Sequence, residues 1–428
     1  MRVAVIGSGI VGASAAHHLS ARGVSVTVVD GAYSGQATQA GAGIVCPWVD
    51  HSHDEDWYRL TREGARRYPE LVEALGEDIG YARVGALLVA EEPSELEPVR
   101  ALLARRYAEA PEMGEVTDVP APSALFPPLA EDLVALHVAG AARVDGGAVR
   151  DALLEAAVRQ GAELHTGTAT VLPGGQVLVR EVHEADARGR VLYGQPGAAS
   201  GGSWRQGAPL PPAAGTRESG AEGRAGVEGL EDAEGRRRRA EESPVYGEPV
   251  TGADWVPLEA DVVIVAAGAW TGEVCRPLGV ELPVFPRRGQ IVHATLDGVD
   301  TAWWPIVLPR SGPYLLGFPD SRVVVGATVE DVGFAPRITM GGLDEVLQAG
   351  LRIAPGLLGA TVTEVRVGLR PVYAPGPPLI GRVDDQVVVA TGLSAYGLTA
   401  GPFTGQLAAG LALGEEAPID LTPYSPPV

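Results

Sequence analysis

The chain has 428 residues, long enough for two domains, and its apolar content of 46% supplies a sizeable core. A formal net charge of −21 disfavours nucleic acid and anionic membrane surfaces as partners; an anionic small molecule stays possible, because local arginines set the field inside a pocket. The two cysteines, Cys46 and Cys275, lie far apart and outside any CxxC pattern, which excludes a disulfide framework or a cysteine zinc site.

The first expected strand spans residues 3–6, Val-Ala-Val-Ile, an apolar run suited to a buried parallel strand. Because it begins so early, no signal peptide is expected. No apolar run reaches the ~18 residues of a membrane helix, so no integral membrane segment is expected and the cytoplasm is the default location. Gly7-Ser8-Gly9-Ile10-Val11-Gly12 follows, then a helix over 13–22, stopped by Gly23, and a second strand over 24–29 ending at Asp30. Strand, glycine turn, helix, strand and acid in this order form the dinucleotide-binding fingerprint. Gly7 allows the tight turn. Gly9 lets the backbone approach a pyrophosphate, which sits on free N–H groups at the helix N-terminus. Gly12 lets helix and strand pack closely, and Asp30 can accept hydrogen bonds from a ribose. The motif does not separate FAD from NAD.

Residues 36–46 are small and glycine-rich, suiting a loop or helix start pressed against a ligand. Residues 54–77 carry helical periodicity, with Trp57, Leu60, Tyr68, Leu71 and Leu75 on one side. A strand over 85–90, a helix over 94–110, a helix over 149–160 and a strand over 163–172 come next. Residues 181–257 differ in kind, and at least 195–245 read as a disordered or loosely packed insertion. Its basic run, Arg236 to Arg239, is surrounded by acids and reads as a solvated charge cluster rather than a nucleic-acid patch. Order resumes with an apolar strand over 261–267 running into a glycine turn. Short strands are expected at 290–296, 305–308, 314–318 and 322–328, a helix at 341–353, strands at 362–367 and 387–391, and a final helix at 402–413.

Three separated segments look like parts of one nucleotide site: the fingerprint, Val262 to Trp270, and Val387 to Gly392 running into a helix. Ala267 and Gly268 would let the backbone approach a cofactor. Gly392 opens a second positive helix end, of the kind that faces a flavin pyrimidine ring. A nicotinamide dehydrogenase usually completes its site in one contiguous domain, so the joint presence favours FAD. Arg370 could bind a carboxylate through two parallel hydrogen bonds, or pair with a buried acid. Arg287 and Arg288 read as structural or near the cofactor. Tyr314 could line the pocket or pack in the core. His51, His53, Asp54 and Asp56 resemble a metal or acid–base cluster, but acids at a helix N-terminus explain the aspartates, and no metal is expected.

The stretches GSGIVGASAAHHLSARGVSVTVVD, ATQAGAG, ADVVIVAAGAW, PRRGQIV, VGLRPVYAPGPPLIGRV and VVVATGLSAYGLTAGPFTGQLAAGLALG carry a family resemblance. The chain resembles the D-amino-acid-oxidase-like superfamily of FAD-dependent oxidoreductases, which includes glycine oxidase, sarcosine oxidase and D-amino-acid dehydrogenases. The resemblance spans nearly the whole chain except the insertion. It implies an α/β fold with a discontinuous Rossmann-like FAD-binding domain (1–45, 141–180, 258–282 and 362–428). A substrate domain (46–140 and 283–361) on a mixed, largely antiparallel sheet would roof the flavin, with 181–257 inserted.

The resemblance also implies roles. Thr38, Gly41, Ala42 and Gly43 match the loop along the flavin, and Val171 falls where backbone groups approach the adenine. Arg370 in GLRP matches the arginine that binds the substrate carboxylate. Tyr396 and Gly397 lie beside the flavin, and Tyr396 joins Arg370 as a candidate catalytic residue. The implied cofactor set is completed by Gly7, Gly9, Ile10, Val11, Gly12, Asp30, Ala267, Gly268, Trp270, Gly392, Leu398 and Thr399. Cys46 sits in no attachment motif, so FAD is expected to be noncovalent. The expected activity is oxidation of a C–N bond in a small amino acid or N-methyl amino acid. Hydride would pass from the alpha carbon to flavin N5, giving an imine that hydrolyses. The electron acceptor would be O2 or a quinone or other electron carrier. The alternatives are oxidation of a 2-hydroxy acid, or a flavin-binding protein without turnover.

Overall fold

Apolar runs such as Val-Ala-Val-Ile and Val-Val-Ile-Val cannot face water on either side, and the chain places them in the middle of a sheet covered on both faces. The computed structural model describes residues 1–181 and 255–427. The insertion expected at 195–245 lies outside the described residues. The first sheet has eight strands in the order Val256–Leu258, Gln176–Glu181, Glu163–Leu172, Ser25–Asp30, Arg2–Ile6, Val262–Val265, Val387–Thr391 and Leu379–Asp384. Its five central strands are parallel, and antiparallel strands close both edges.

Two helices lie together against this sheet, Ile10–Ser20 and Gly397–Leu413. Glycine sets how closely they approach. A side-chain carbon on Gly401 would sit 2.6 Å from Ile10 Cγ2, and one on Gly405 would sit 2.6 Å from Ser14 Cβ and 2.8 Å from the Ala15 backbone nitrogen. Pro402 sits inside the second helix and lacks the N–H that would reach Leu398. The freed Leu398 carbonyl accepts a hydrogen bond from the Tyr68 hydroxyl, which arrives fully buried from the helix Tyr68–Leu75. The side expected to be buried over 54–77 is buried in full: Trp57, Leu60, Tyr68, Leu71 and Leu75.

The second sheet also has eight strands, in the order Thr361–Tyr373, Val284–Thr295, Arg322–Gly326, Tyr314–Gly317, Ile306–Pro309, Ala86–Ala90, Val134–Val138 and Val116–Val119. All its pairings are antiparallel except that of Ile306–Pro309 with Ala86–Ala90. The fold is therefore the expected doubly wound domain with a mixed, largely antiparallel companion. One expected boundary moves. The strand placed with the first domain at 362–367 is Thr361–Tyr373, and it pairs along its whole length with Val284–Thr295 in the second sheet. From Glu364 to Arg370 it alternates Val or Leu with Glu, Arg or Gly, the pattern of a sheet with two unlike faces rather than the doubly covered interior of a parallel sheet. Arg370 thus belongs to the roof.

Candidate active site

A long cavity runs between the two sheets and takes its wall from both. One end is built from backbone. Gly7 has φ +103°, a conformation that only glycine adopts without strain, and its N–H donates to the Val29 carbonyl at 2.8 Å. A side chain on Gly12 would collide with the Gly7 carbonyl group, its carbon only 2.9 Å away, so Gly12 is the packing glycine of the turn and not a wall residue. Gly9 is different. A side-chain carbon there would meet only Thr38 Oγ1, at 3.4 Å, so its free side faces the cavity. The helix starts at Ile10, whose N–H donates to Thr38 Oγ1 at 3.0 Å, and Val11 stands beside it on the wall. This is a positive helix end with small walls, suited to a pyrophosphate.

Asp30 closes this end. It accepts from the Ser8 N–H and hydroxyl, each at 2.7 Å, from the Ala32 N–H at 2.7 Å and from Gln36 Nε2 at 3.2 Å. These fill the four lone-pair sites of a carboxylate, so a ribose hydroxyl would take the place of the Ser8 hydroxyl or the Gln36 amide. From the strand Glu163–Leu172 the wall takes Gly167 and Ala169, while Val171 is fully buried among apolar neighbours. Tyr33 stacks on Trp270 with ring centres 5.3 Å apart, and both line the cavity with Ala267 and Gly268.

The other end is built from side chains. Thr38, Gly41, Ala42 and Gly43 lead along the wall to Ile44. Gly397 and Leu398, at the start of the last helix, stand on it too. Arg370 is the one cationic side chain among the described residues lining the cavity. Its Nη1 donates to the Thr328 carbonyl at 3.1 Å and the Arg288 carbonyl at 3.3 Å, and its guanidinium is hydrogen-bonded to Tyr314. Among the described residues no carboxylate lies within 4.0 Å of it. Burial pushes its pKa down from the usual arginine range, nearby Arg287 adds to the shift, and Tyr314 and Glu330 oppose it. Burial also pushes the Tyr314 hydroxyl up to about 12, so it stays protonated at neutral pH.

Several sequence candidates stand off the wall. Tyr396 packs its ring 4.3 Å from His51 and 5.4 Å from Trp57, and its hydroxyl is hydrogen-bonded to the half-buried Asp50. The cavity is lined there by Ser394, Ala395, Gly397 and Leu398 instead. Thr399 donates to the Ile44 carbonyl at 2.9 Å, which ties helix to loop. Gly392 has φ +85° and serves the turn between Thr391 and Leu393, both of which line the cavity. His51 is held neutral by burial, with a pKa near 4. Asp54 caps its helix by accepting from the Trp57 N–H at 3.0 Å, and Asp56 pairs with Arg59. Cys46 is buried in the core of the roof, where desolvation pushes its thiol pKa up. Arg287 pairs with Asp331, and Arg288 with Glu330.

Sequence reasoning missed Gly289 and Gly368. They face each other in register across two strands, and both line the cavity. A carbon on Gly368 would come within 2.9 Å of Ala40 Cβ, so this glycine lets the roof close onto the 37–40 segment. Single glycines inside strand-like runs were the available signal, since they mark close backbone approach.

A doubly wound sheet with a glycine turn, an acid at its second strand and a mixed-sheet roof that sets one arginine on the cavity wall has the layout of a dinucleotide-dependent oxidoreductase. The DAO family model, FAD dependent oxidoreductase, matches residues 2–192 and 212–411, and the chain belongs to this family. FAD is therefore its cofactor, and the open side of Gly9 at the helix start is consistent with it. The chain is similar to Uncharacterized oxidoreductase YurR of Bacillus subtilis (strain 168), 37% identical over 99% of this chain and 97% of the relative. It is 40% identical to iminodiacetate oxidase from Chelativorans sp. BNC1, with a TM-score of 0.80 and 99% of each chain covered. Glycine oxidase from Geobacillus kaustophilus shares the fold, with a TM-score of 0.73 at 22% identity, covering 100% of this chain and 98% of that one. Among the described residues no helix is long and apolar enough to cross a membrane.

Proposed function

We propose that the protein oxidises a C–N bond in a small amino acid or N-substituted amino acid, with Arg370 holding the carboxylate. The observation that carries this reading is a cavity-facing guanidinium with no carboxylate partner among the described residues. A partly desolvated guanidinium that hydrogen-bonds only carbonyls and a tyrosine keeps donors for an anion, and a substrate carboxylate supplies one. The planar fork orients the carboxylate as well as holding it. The relative named iminodiacetate oxidase supports an amine that carries a carboxylate.

The chemistry that FAD supplies when bound is acceptance of an electron pair with a proton, as hydride. The chain's own residues do the rest. Arg370 fixes one end of the substrate, with the protonated Tyr314 hydroxyl beside it. Ile44 and Ile291 give the wall apolar surface that displaces water. No acid–base side chain is required at the reacting carbon if the amine arrives neutral, because positioning lowers the barrier. The substrate leaves as an imine, which water hydrolyses. FAD is held noncovalently, since Cys46 stands in the roof core off the cavity wall. The electron acceptor is O2 or a quinone or other carrier.

Anaerobic mixing tests this. N-methylglycine, iminodiacetate, glycine and both enantiomers of small amino acids are each mixed with the holoprotein, and loss of flavin absorbance is followed. Bleaching by at least one of them is expected. Bleaching by 2-hydroxy acids alone would move the assignment to alcohol oxidation, and no bleaching by either set would leave a flavin-binding protein without turnover.

A further inference from the structure

Arg370 reaches into the cavity from the strand Thr361–Tyr373, and everything that aims it comes from elsewhere. Its two carbonyl acceptors belong to Arg288, on the neighbouring strand, and to Thr328, on the segment that follows Arg322–Gly326. One ionic network ties both acceptors in place. The Arg288 side chain is 4% exposed. It grips Glu330 with two nitrogens, Nε donating at 3.2 Å and Nη2 donating to the second oxygen. Its third nitrogen, Nη1, donates to the Ala335 carbonyl at 3.0 Å. Glu330 also accepts from the Thr328 hydroxyl at 2.6 Å and Gln290 Nε2 at 2.8 Å. The backbones of Arg288 and Glu330 exchange hydrogen bonds at 2.8 and 3.0 Å. The carbonyl that meets Arg370 is thus the one that accepts the Glu330 N–H.

Room for the guanidinium comes from the next residue. A side-chain carbon on Gly289 would lie 2.7 Å from both Cζ and Nη1 of Arg370, far inside contact distance. The guanidinium therefore lies across the bare backbone of Gly289, in the gap that a missing side chain leaves. A side chain on Gly289 would have to push the guanidinium off this backbone.

We propose that Arg288 is a positioning residue for Arg370, and that Arg288, Gly289 and Glu330 together form a seat that holds the substrate-binding guanidinium in one orientation. This rests on the reading that Arg370 binds the carboxylate. Arg288 does not line the cavity and touches Arg370 through its carbonyl, so it acts on the substrate only through that side chain. The geometry of a bidentate pair is demanding, and a rotated guanidinium loses one of the two bonds.

The experiment measures equilibrium binding of acetate and of neutral acetamide to the holoprotein, by calorimetry, with the melting temperature recorded for every variant. Arg370→Ala reports on the function reading, and Gly289→Ala and Arg288→Lys report on the seat. Lysine keeps a positive charge beside Glu330 but cannot bridge both its oxygens and the Ala335 carbonyl. The seat predicts that Gly289→Ala weakens acetate at least about tenfold, Arg288→Lys about three- to tenfold, and that neither changes acetamide. Arg370→Ala weakening acetate while Gly289→Ala and Arg288→Lys leave it unchanged overturns the seat alone. Acetate binding unchanged in all three variants overturns the seat and the carboxylate reading together. A variant of Arg288 that fails to fold leaves Gly289→Ala to decide, because that change leaves the ionic network intact. Equal loss of acetate and acetamide in Gly289→Ala would show general pocket damage and would also overturn the seat.

Discussion

At one end of the cavity stand Gly7, Gly9, Ile10 and Val11, all from one strand–turn–helix within the first thirty residues; at the other stand Gly289, Tyr314 and Arg370, from three strands of the roof. The first end offers a ligand backbone N–H groups and the absence of side chains. The second offers a charged side chain whose aim depends on strands far apart in sequence. Backbone recognition is set by local conformation and tolerates distant change. Side-chain recognition depends on register, because Arg287 opposite Arg370 and Gly289 opposite Gly368 hold only if the two long strands pair in this one way.

The largest effect is expected at the backbone end. Gly9→Val places a branched side chain on the open side of the turn, where the pyrophosphate would lie. Purified protein should be folded by circular dichroism and colourless, with flavin content near zero. A yellow Gly9→Val protein would break the comparison, since it would mean that the turn does not contact the cofactor.

Arg370→Ala is the counterpart at the other end. Charge-assisted hydrogen bonds contribute on the order of 1.5–3 kcal/mol, so kcat/KM for a carboxylate substrate should fall about tenfold to a hundredfold. Flavin per protein should stay near that of the parent. Arg370→Lys should recover part of the loss, since a point charge lacks the fork. The control is the matching amine without its carboxylate, and an equal fractional loss on both substrates rules out carboxylate recognition.

Away from the cavity wall, in the long roof strand Val284–Thr295, pH should reveal a weak point. His293 is buried, and neither ring nitrogen has a hydrogen-bond partner among the described residues. Burial, then Arg366 and Arg322, push its pKa down to about 3, against a smaller opposite pull from Asp145. The unfolded chain therefore takes up this proton first. The stability contributed by the neutral ring is fully present above the unfolded pKa of ~6.5 and is lost as pH falls from there toward about 3. The loss should reach a few kcal/mol, seen as a falling melting temperature between pH 7 and pH 4.5. His293→Phe should make that profile shallower without flattening it, because burial also holds His18 and His51 down at about 4, and an unchanged slope would assign the acid sensitivity to those groups.

Smaller effects test the helix that serves both ends. Gly405→Ala presses a carbon against the Ala15 backbone nitrogen and Ser14 Cβ, and overpacking of this kind costs ~1–3 kcal/mol in denaturant unfolding. Tyr68→Phe leaves the Leu398 carbonyl without its donor and should cost ~1–3 kcal/mol, near the lower figure if water can reach it. Neither change should alter the acetate-to-acetamide preference. A shift there would mean that the helix start helps to shape the substrate end.

The sequence reading placed the parallel strands well because a doubly buried strand must be apolar throughout. It expected 163–172 and 387–391, and both strands have those bounds. It missed Val116–Val119, Val134–Val138 and Leu379–Asp384. Each is short and of mixed polarity, and each takes its place only because a neighbour offers hydrogen bonds. The same limit applied to Tyr396, which sits in a glycine-rich segment that does line the cavity. Its ring packs on His51 and Trp57 instead, and neither contact could be read from residues 392–401.

By itself, then, the sequence determined the glycine turn and the alternation of strand and helix around it. These depend on contacts between near neighbours, where glycine placement and apolar period leave few choices. Only the tertiary structure decided that Arg370 belongs to the roof, that it has no carboxylate partner among the described residues, and that it lies across Gly289 within reach of the Arg288 and Thr328 carbonyls. Those relations join residues more than forty apart in sequence, and the pairing of two long antiparallel strands brings them together.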